Sequence, residues 1–286
     1  MDKLCGDFVI PVIFFHLGEQ DYFESTIRIA QLNNNHVIVL GNQGDVFKQK
    51  HPKVSFFNQK DYFEDENYFR KIYKHMHSGE PESQIICYTR WFIIRNFIIK
   101  NNIDTFFHAD SDLAILNSVN NTYENLGKPN LALSTQQRQP EFRLVASGHS
   151  SYFTKESIVN LCNFFIDSYK ESNESYQKLV NKFNWHKQNG IGGGVCDMTQ
   201  LYLFGLKNNV KSLTMVNDNS CFDDNINSSE NYFENEYKMQ DNLKKMILID
   251  KKFYFENFND QKIQANTIHC QGRSKNLLFL IEKNIK

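Results

Sequence analysis

The chain has 286 residues, 41% of them hydrophobic and 23% charged, the make-up of an ordinary globular protein long enough for one large α/β domain or two small ones. Its formal net charge of −1 gives no reason to expect nucleic acid or an anionic membrane surface as a main partner. The longest apolar runs, Phe8 to Phe15 and Trp91 to Ile99 (the second broken by Arg95 and Asn96), fall short of the roughly 20 residues that cross a bilayer. The opening Met1-Asp2-Lys3 lacks the basic, apolar, small-residue order of a secretory signal, so a cytoplasmic location is expected. Six cysteines without a C-x-x-C pair indicate neither a disulfide framework nor a zinc site.

The β-branched and aromatic run Phe8 to Phe15 predicts a first interior strand, with Pro11 marking its start or a bulge. His16 to Asp21 then forms the loop at its carboxyl end, and Asp21 to Leu32 has helical spacing with Asp21 as candidate cap. His36 to Leu40, stopped by Gly41-Asn42, and Val54 to Phe57 predict a second and a third strand. Strand, helix, strand with short connections marks βαβ units and a parallel sheet. Helices are predicted over Asp61 to His77 and Glu82 to Lys100, the latter leading into an apolar strand at Thr105. Strands at Leu131 to Ser134 and Arg143 to Ala146, a polar break at Ser147 to Ser151 and a helix from Thr154 to Tyr169 follow. A glycine-rich loop, Asn189 to Gly194, precedes a helix from Asp197 to Leu206. Strands near Ser212 to Val216, Met246 to Ile249 and Ile263 to Ile268 precede a short apolar helix, and Asp218 to Glu236 reads as a polar, acidic surface excursion. With no internal repeat and no linker, the expected fold class is α/β, a mixed and mainly parallel sheet flanked by helices in a single domain.

The most informative stretch runs Thr105-Phe106-Phe107-His108-Ala109-Asp110-Ser111-Asp112-Leu113-Ala114. Two carboxylates ending a buried strand are costly unless they are paired or hold a metal. Spaced i, i+2 with small Ser111 between them, they can converge on one hard divalent cation, Mg²⁺ or Mn²⁺, of the kind bound through carboxylates and substrate phosphates. His269 ends another strand-like run, with Gly272, Arg273 and Lys275 close behind. Gly272 lets backbone approach a phosphate, and Lys275 supplies a point charge for phosphate oxygens. Cation, glycine and lysine together suit a nucleotide diphosphate leaving group, whose developing charge they would neutralise.

With Tyr88-Thr89-Arg90 on a helix before Asp110-Ser111-Asp112, a Gly-Gly-Val segment leading to Asp197, and His269-x-x-Gly272-x-x-Lys275, the chain resembles the GT-A glycosyltransferases, and within them the glycogenin-like family 8 enzymes. The resemblance implies a Rossmann-like GT-A fold and a metal-dependent transfer of sugar from a nucleotide diphosphate, UDP being the usual nucleotide. The acceptor would be a hydroxyl on a glycan, protein or small molecule, with retention of configuration slightly favoured. It implies that Asp112 and His269 bind Mn²⁺ directly and that Asp110 touches both ribose and metal. Gly272 and Lys275 would hold the diphosphate, and Arg90 would lie near the donor phosphate or sugar. Asp197 would face the donor sugar or the acceptor hydroxyl, its plain alternative being a helix N-cap. His16, Leu17, Gly18, Gly41 and Asn42 would surround the nucleoside, since ligands sit at the carboxyl ends of the strands in such sheets; Tyr88 and Ser111 are placed with them. The chain departs from the family pattern at Asn276-Leu277, where Pro-Trp is usual, and at Met198, where Gln is usual.

Gly190 to Gly194 lacks the spacing of a phosphate-binding loop; it is expected to wall the acceptor side, as is Ser147 to Ser151 with His149. Two alternatives stay open. A haloacid-dehalogenase-like phosphatase also carries D-x-D after a hydrophobic strand, and a GT-A domain can bind a nucleotide sugar or glycan without turning it over.

Overall fold

The computed structural model describes residues 9–286; Cys5 and the Phe8 end of the first predicted strand lie outside them. Strands β1 (Val12–His16), β2 (Val37–Gly41), β3 (Ser55–Asn58) and β4 (Thr105–Ala109) are parallel, in the spatial order β3-β2-β1-β4. β1, β2 and β4 are short apolar runs buried on two faces, and β3, at the sheet edge, is half-buried. Ile13, Ile38 and Phe106 point into one core, Val12, Val39 and Phe107 into the other, as expected of parallel strands covered on both sides. Beyond β4 the sheet continues antiparallel through β7 (Ser147–Thr154) to β6 (Leu131–Ser134), which pairs parallel with the short β8 (Lys211–Ser212). The mixed, mainly parallel α/β sheet is therefore as expected.

Helix α1 (Asp21–Asn33) covers one face; α2 (Asp45–Lys50) follows β2. The other face is covered by α3 (Glu66–Ile72), α4 (Pro81–Lys100), α6 (Lys155–Ser168) and α8 (Asp197–Lys207), while α5 (Val119–Asn125) packs on the α1 side and α7 (Glu174–Gln188) sits outside α6. A second sheet contains β5 (Leu113–Ile115), β9 (Ser220–Phe222), β12 (Met246–Ile249), β13 (Lys252–Glu256) and β14 (Lys262–His269); β10 (Met239–Gln240) and β11 (Leu243–Lys244) form a separate hairpin. The central strand β14 runs antiparallel to β5, with His269 opposite Leu113, and α9 (Leu277–Ile285) packs against α1. That pairing carries the far end of the sequence back to the acid pair. Among the described residues no helix is long and apolar enough to cross a membrane.

Several predicted elements differ. Asp21 is the first residue of α1, not its cap. The helix predicted over Asp61 to His77 is shortened to Glu66–Ile72, because Met76 and His77 pair instead with the glycine loop: Val195 N–H donates to Met76 O at 2.7 Å. Gly194 has φ +135°, and a Cβ there would lie 2.4 Å from Met76 O, so the loop docks where only glycine fits. The glycines thus form a tied strap, bonded also through Ser78. Arg143 to Ala146 is not a strand; Phe142 and Leu144 have φ of 58° and 43°, which breaks any ladder. Ser147 to Ser151, read as a polar break, is interior strand β7: its small residues leave room for Trp91, whose ring carbons come within 2.5 Å of where a Cβ on Gly148 would sit. Of the strand predicted near Ser212 to Val216, only Ser212, with Lys211 before it, belongs to a strand, β8. Helix α7 went unpredicted, and the excursion Asp218 to Glu236 contains β9 and the buried Asp223, Ile226 and Asn231.

Candidate active site and divalent-cation site

Strand β4 stops at Ala109, and the chain turns through Asp110-Ser111-Asp112 before joining the second sheet as β5. The turn is tied down: Asp110 N–H donates to His149 O at 2.8 Å, Leu113 N–H to Asp110 O at 3.1 Å, and Thr26 Oγ1–H to Ser111 O at 2.8 Å. Cys270 N–H donates to Asp112 O at 2.9 Å, which sets the register of β14 against the turn. One ligand atom from each of Asp110, Asp112 and His269 then lies within 4.8 Å of the others. His269 Nε2 is 3.5 Å from Asp112 Oδ1. Its other nitrogen lies 2.6 Å from Asp224 O; a carbonyl only accepts, so Nδ1 carries a proton and Nε2 is the atom turned to the acids. Burial alone would lower the His269 pKa, but Asp112, helped by Asp224 O and Asp110, raises it to about 9. Two carboxylates and one imidazole suit Mn²⁺, with Mg²⁺ a poorer match to the nitrogen. The acids favour positive charge at Nε2, which a divalent cation can supply in place of a proton.

Arg90 on α4 joins this cluster to a third acid. Its Nη1–H donates to Asp110 Oδ1 and its Nη2–H to Asp197 Oδ2, each at 2.8 Å. Burial works to raise the Asp110 carboxyl, but Arg90 and then His108 override it and hold it well below the usual carboxylate range. Asp110 Oδ2 makes no hydrogen bond among the described residues. Asp197, at the start of α8, is more fully committed: Oδ2 also accepts from Trp91 Nε1 at 3.1 Å and Oδ1 from Met198 N–H at 2.9 Å. Its side chain is only 4% exposed and lies against Arg90, and Cys196 occupies the N-cap position.

Lys275 lies in the short 3₁₀ turn after His269, 3.6 Å from Asp112 Oδ2, and donates to Tyr22 Oη at 3.2 Å. Gly272 opens the same turn with φ +62°. At the carboxyl ends of β1 and β2 is a hollow of about 270 Å³ lined by His16, Gly18, Gln20, Phe23, Gln43 and Phe47 among others. His16 stacks on Phe23 at 3.8 Å, and burial, with Lys275 nearby, lowers its pKa to about 4, so it is a neutral ring. Asn42 Oδ1 accepts Gly18 N–H at 2.9 Å and Gln43 Nε2–H donates to Gly18 O at 2.8 Å, so these two amides shape the loop that includes Leu17, just past Gly41. A larger hollow, about 340 Å³ between Leu32, Asn117 and Phe253, is lined by none of these residues.

The structure thus brings together Asp110, Asp112, His269, Lys275 and Arg90, with His16 and Gly18 alongside. Tyr88 is not among them: it is fully buried in an aromatic cluster with Phe69, Tyr73, Phe165 and Tyr169, and Gln200 donates to its hydroxyl at 3.4 Å. Ser111 contributes its backbone carbonyl to the turn. His149 was expected on the acceptor side and is instead buried beneath His269, rings stacked at 4.0 Å. Sequence reasoning missed Trp91, Tyr22, Gln43 and the pair Asp223-Asp224; Trp91 directly follows Arg90 and Gln43 directly follows Asn42.

No protein-family model matches the sequence, and no curated protein matches it. Among solved structures, the apo form of mouse xyloside xylosyltransferase 1 superposes with a TM-score of 0.51 at 9% identity, over 72% of this chain and 85% of that one. The shared feature is the fold, a Rossmann-like sheet of GT-A type. The glycosyltransferase GlyE of Streptococcus pneumoniae TIGR4 aligns with a TM-score of 0.38 at 15% identity, over 72% of this chain and 45% of that one. The bifunctional glycosyltransferase WbbM gives 0.36 and 17%, over 64% and 38%. This chain spans less than half the length of those two.

Proposed function

We propose that this protein is a metal-assisted glycosyltransferase that moves a sugar from a nucleotide diphosphate, with UDP the nucleotide favoured, to a hydroxyl on a glycan, protein or small molecule. The observation that carries this reading is one cluster: Asp110, Asp112 and His269 within 4.8 Å, with Lys275 3.6 Å from Asp112, beside a hollow at the carboxyl ends of β1 and β2. Asp110, Asp112 and His269 would hold Mn²⁺, which supplies a Lewis acid for the diphosphate oxygens. Lys275 and the Gly272 turn would add positive charge and backbone N–H groups on the leaving side. Arg90, fixed from behind by Asp197, would present its remaining edge to the donor. The His16–Gly18 loop would seat the nucleoside, with the neutral His16 ring as an apolar wall. A place among the family 8 enzymes and a retaining outcome belong to the same proposal, resting on the His269-x-x-Gly272-x-x-Lys275 pattern.

Incubation with a panel of nucleotide sugars, with and without Mn²⁺, and detection of released nucleotide and glycosylated product test it. Asp112→Ala and His269→Ala are expected to lose Mn²⁺-dependent turnover by about 100-fold or more while keeping the wild-type circular dichroism. Unchanged turnover in either variant, or turnover indifferent to chelation of the metal, would refute the assignment.

A further inference from the structure

His269 is held by an apparatus that extends well beyond the acids it faces. Three consecutive backbone carbonyls after β9 point inward to three different groups. Asp223 O accepts from His149 Nε2–H at 3.0 Å, Asp224 O from His269 Nδ1–H at 2.6 Å, and Asn225 O from Lys244 Nζ at 2.7 Å. The Asp223 carboxylate spans the same junction, with Oδ2 accepting His269 N–H at 3.0 Å and Oδ1 2.5 Å from Lys244 Nζ. Both side chains of that ion pair are 0% exposed. A buried ion pair recovers its desolvation cost only in part, so stability alone is a poor reason for one here. His149 closes the arrangement from the other sheet. Its ring stacks on His269 with an interplanar angle of 11°, and its carbonyl accepts Asp110 N–H. With Nε2–H donated to a carbonyl, Nδ1 is the nitrogen that meets the Ser147 hydroxyl, at 2.8 Å.

We propose that His149, Asp223 and Lys244 are positioning residues for the cation site. His149 couples the strand bearing Asp110 to the ring of His269, and the Asp223–Lys244 pair fixes the segment whose carbonyl sets the His269 tautomer and aims Nε2 at Asp110 and Asp112. None of the three is among the residues that would hold the cation. The proposal rests on the metal reading above, and groups in this relation to a ligating imidazole typically change metal affinity 10–100-fold when removed.

The test is Mn²⁺ binding to the full chain, by calorimetry for affinity and by pulsed electron paramagnetic resonance for the ¹⁴N coupling of a bound imidazole. His149→Phe keeps the stacked ring but loses the bond to Asp223 O; Lys244→Met keeps the volume but removes the partner charge. Each is expected to weaken Mn²⁺ binding 10-fold or more and to diminish the ¹⁴N coupling relative to wild type, with the native circular dichroism retained. A purely structural role would shift melting temperature without touching the ¹⁴N signal. Wild-type-like affinity and coupling in His149→Phe overturn the proposal, and if Lys244→Met does not fold, His149→Phe decides alone. His269→Ala separates the two claims. If the wild type binds Mn²⁺ no better than His269→Ala does, the metal reading falls and this proposal with it; if wild type binds and His269→Ala does not, only the positioning claim is at stake.

Discussion

Arg90 is held by two acids at once, and Asp197 has little else to lean on. Removing the guanidinium leaves a carboxylate that is 4% exposed with only Trp91 and its own helix N–H as partners. Arg90→Ala should therefore destabilise the fold by about 3–5 kcal/mol, the cost of stranding a buried charge, measurable by urea denaturation. Arg90→Lys should recover part of that stability and little activity, because a single ammonium cannot reproduce the two-pronged bond to Asp110 and Asp197. A stability change below about 1 kcal/mol in Arg90→Ala would show that water reaches Asp197.

Among the elements, β7 and α4 are joined at one point of very close approach. The Trp91 ring lies over Gly148, where a Cβ would come within 2.5 Å of two ring carbons, and the indole cannot simply swing aside because its Nε1–H is bonded to Asp197. Gly148→Ala should cost about 1–3 kcal/mol by overpacking, seen as a lower melting temperature. The same element shows why part of the site was hidden in the sequence. Ser147-Gly148-His149-Ser150-Ser151 reads as a break because small polar residues favour turns; here Gly148 is bare because the Trp91 indole fills the space above it, and His149 stacks on the imidazole of His269. Asp110, Asp112 and Lys275 were legible because charge at the end of an apolar run, or closely following one, is unusual enough to need a purpose. Asp223 was not. It sits in an acidic, Asn-rich stretch whose burial depends on the pairing of β9 with β14 and on Lys244 arriving from another hairpin, neither of which leaves a local pattern. Helix α7 was illegible for a related reason: its buried residues are Ser175, Leu179 and Lys182, too thin an apolar stripe to stand out. The parallel half of the main sheet, by contrast, was written in its apolar runs, with β2 and β3 displaced by a single residue from the predicted strands.

Across the whole molecule, the first and last helices are clasped by charge. Arg28 on α1 meets Glu282 on α9 at 2.6 Å, and Lys286 meets the same carboxylate at 2.5 Å. Burial works to raise the Glu282 carboxyl, but Arg28 and Lys286 pull its pKa down from 4.5 to about 2. Between those values the unfolded chain binds more protons, so the stabilisation present above pH 4.5 is lost as the pH falls toward 2. Its size should be about 1–2 kcal/mol, since Arg28 and Lys286 remain well solvated. Glu282→Gln should flatten that segment of the stability–pH curve; an identical slope in variant and wild type would remove the clasp from the account. The C-terminal strand has a consequence of its own. β14 delivers His269 to the acids, pairs with β5 and is followed by the helix clasped to α1, so whatever grips the imidazole also pins the last two dozen residues against excursions into open forms. Added Mn²⁺ should therefore slow deuterium uptake across residues 262–285 more than in α6 or α7, making the tail's breathing a reporter of site occupancy that needs no knowledge of the substrate.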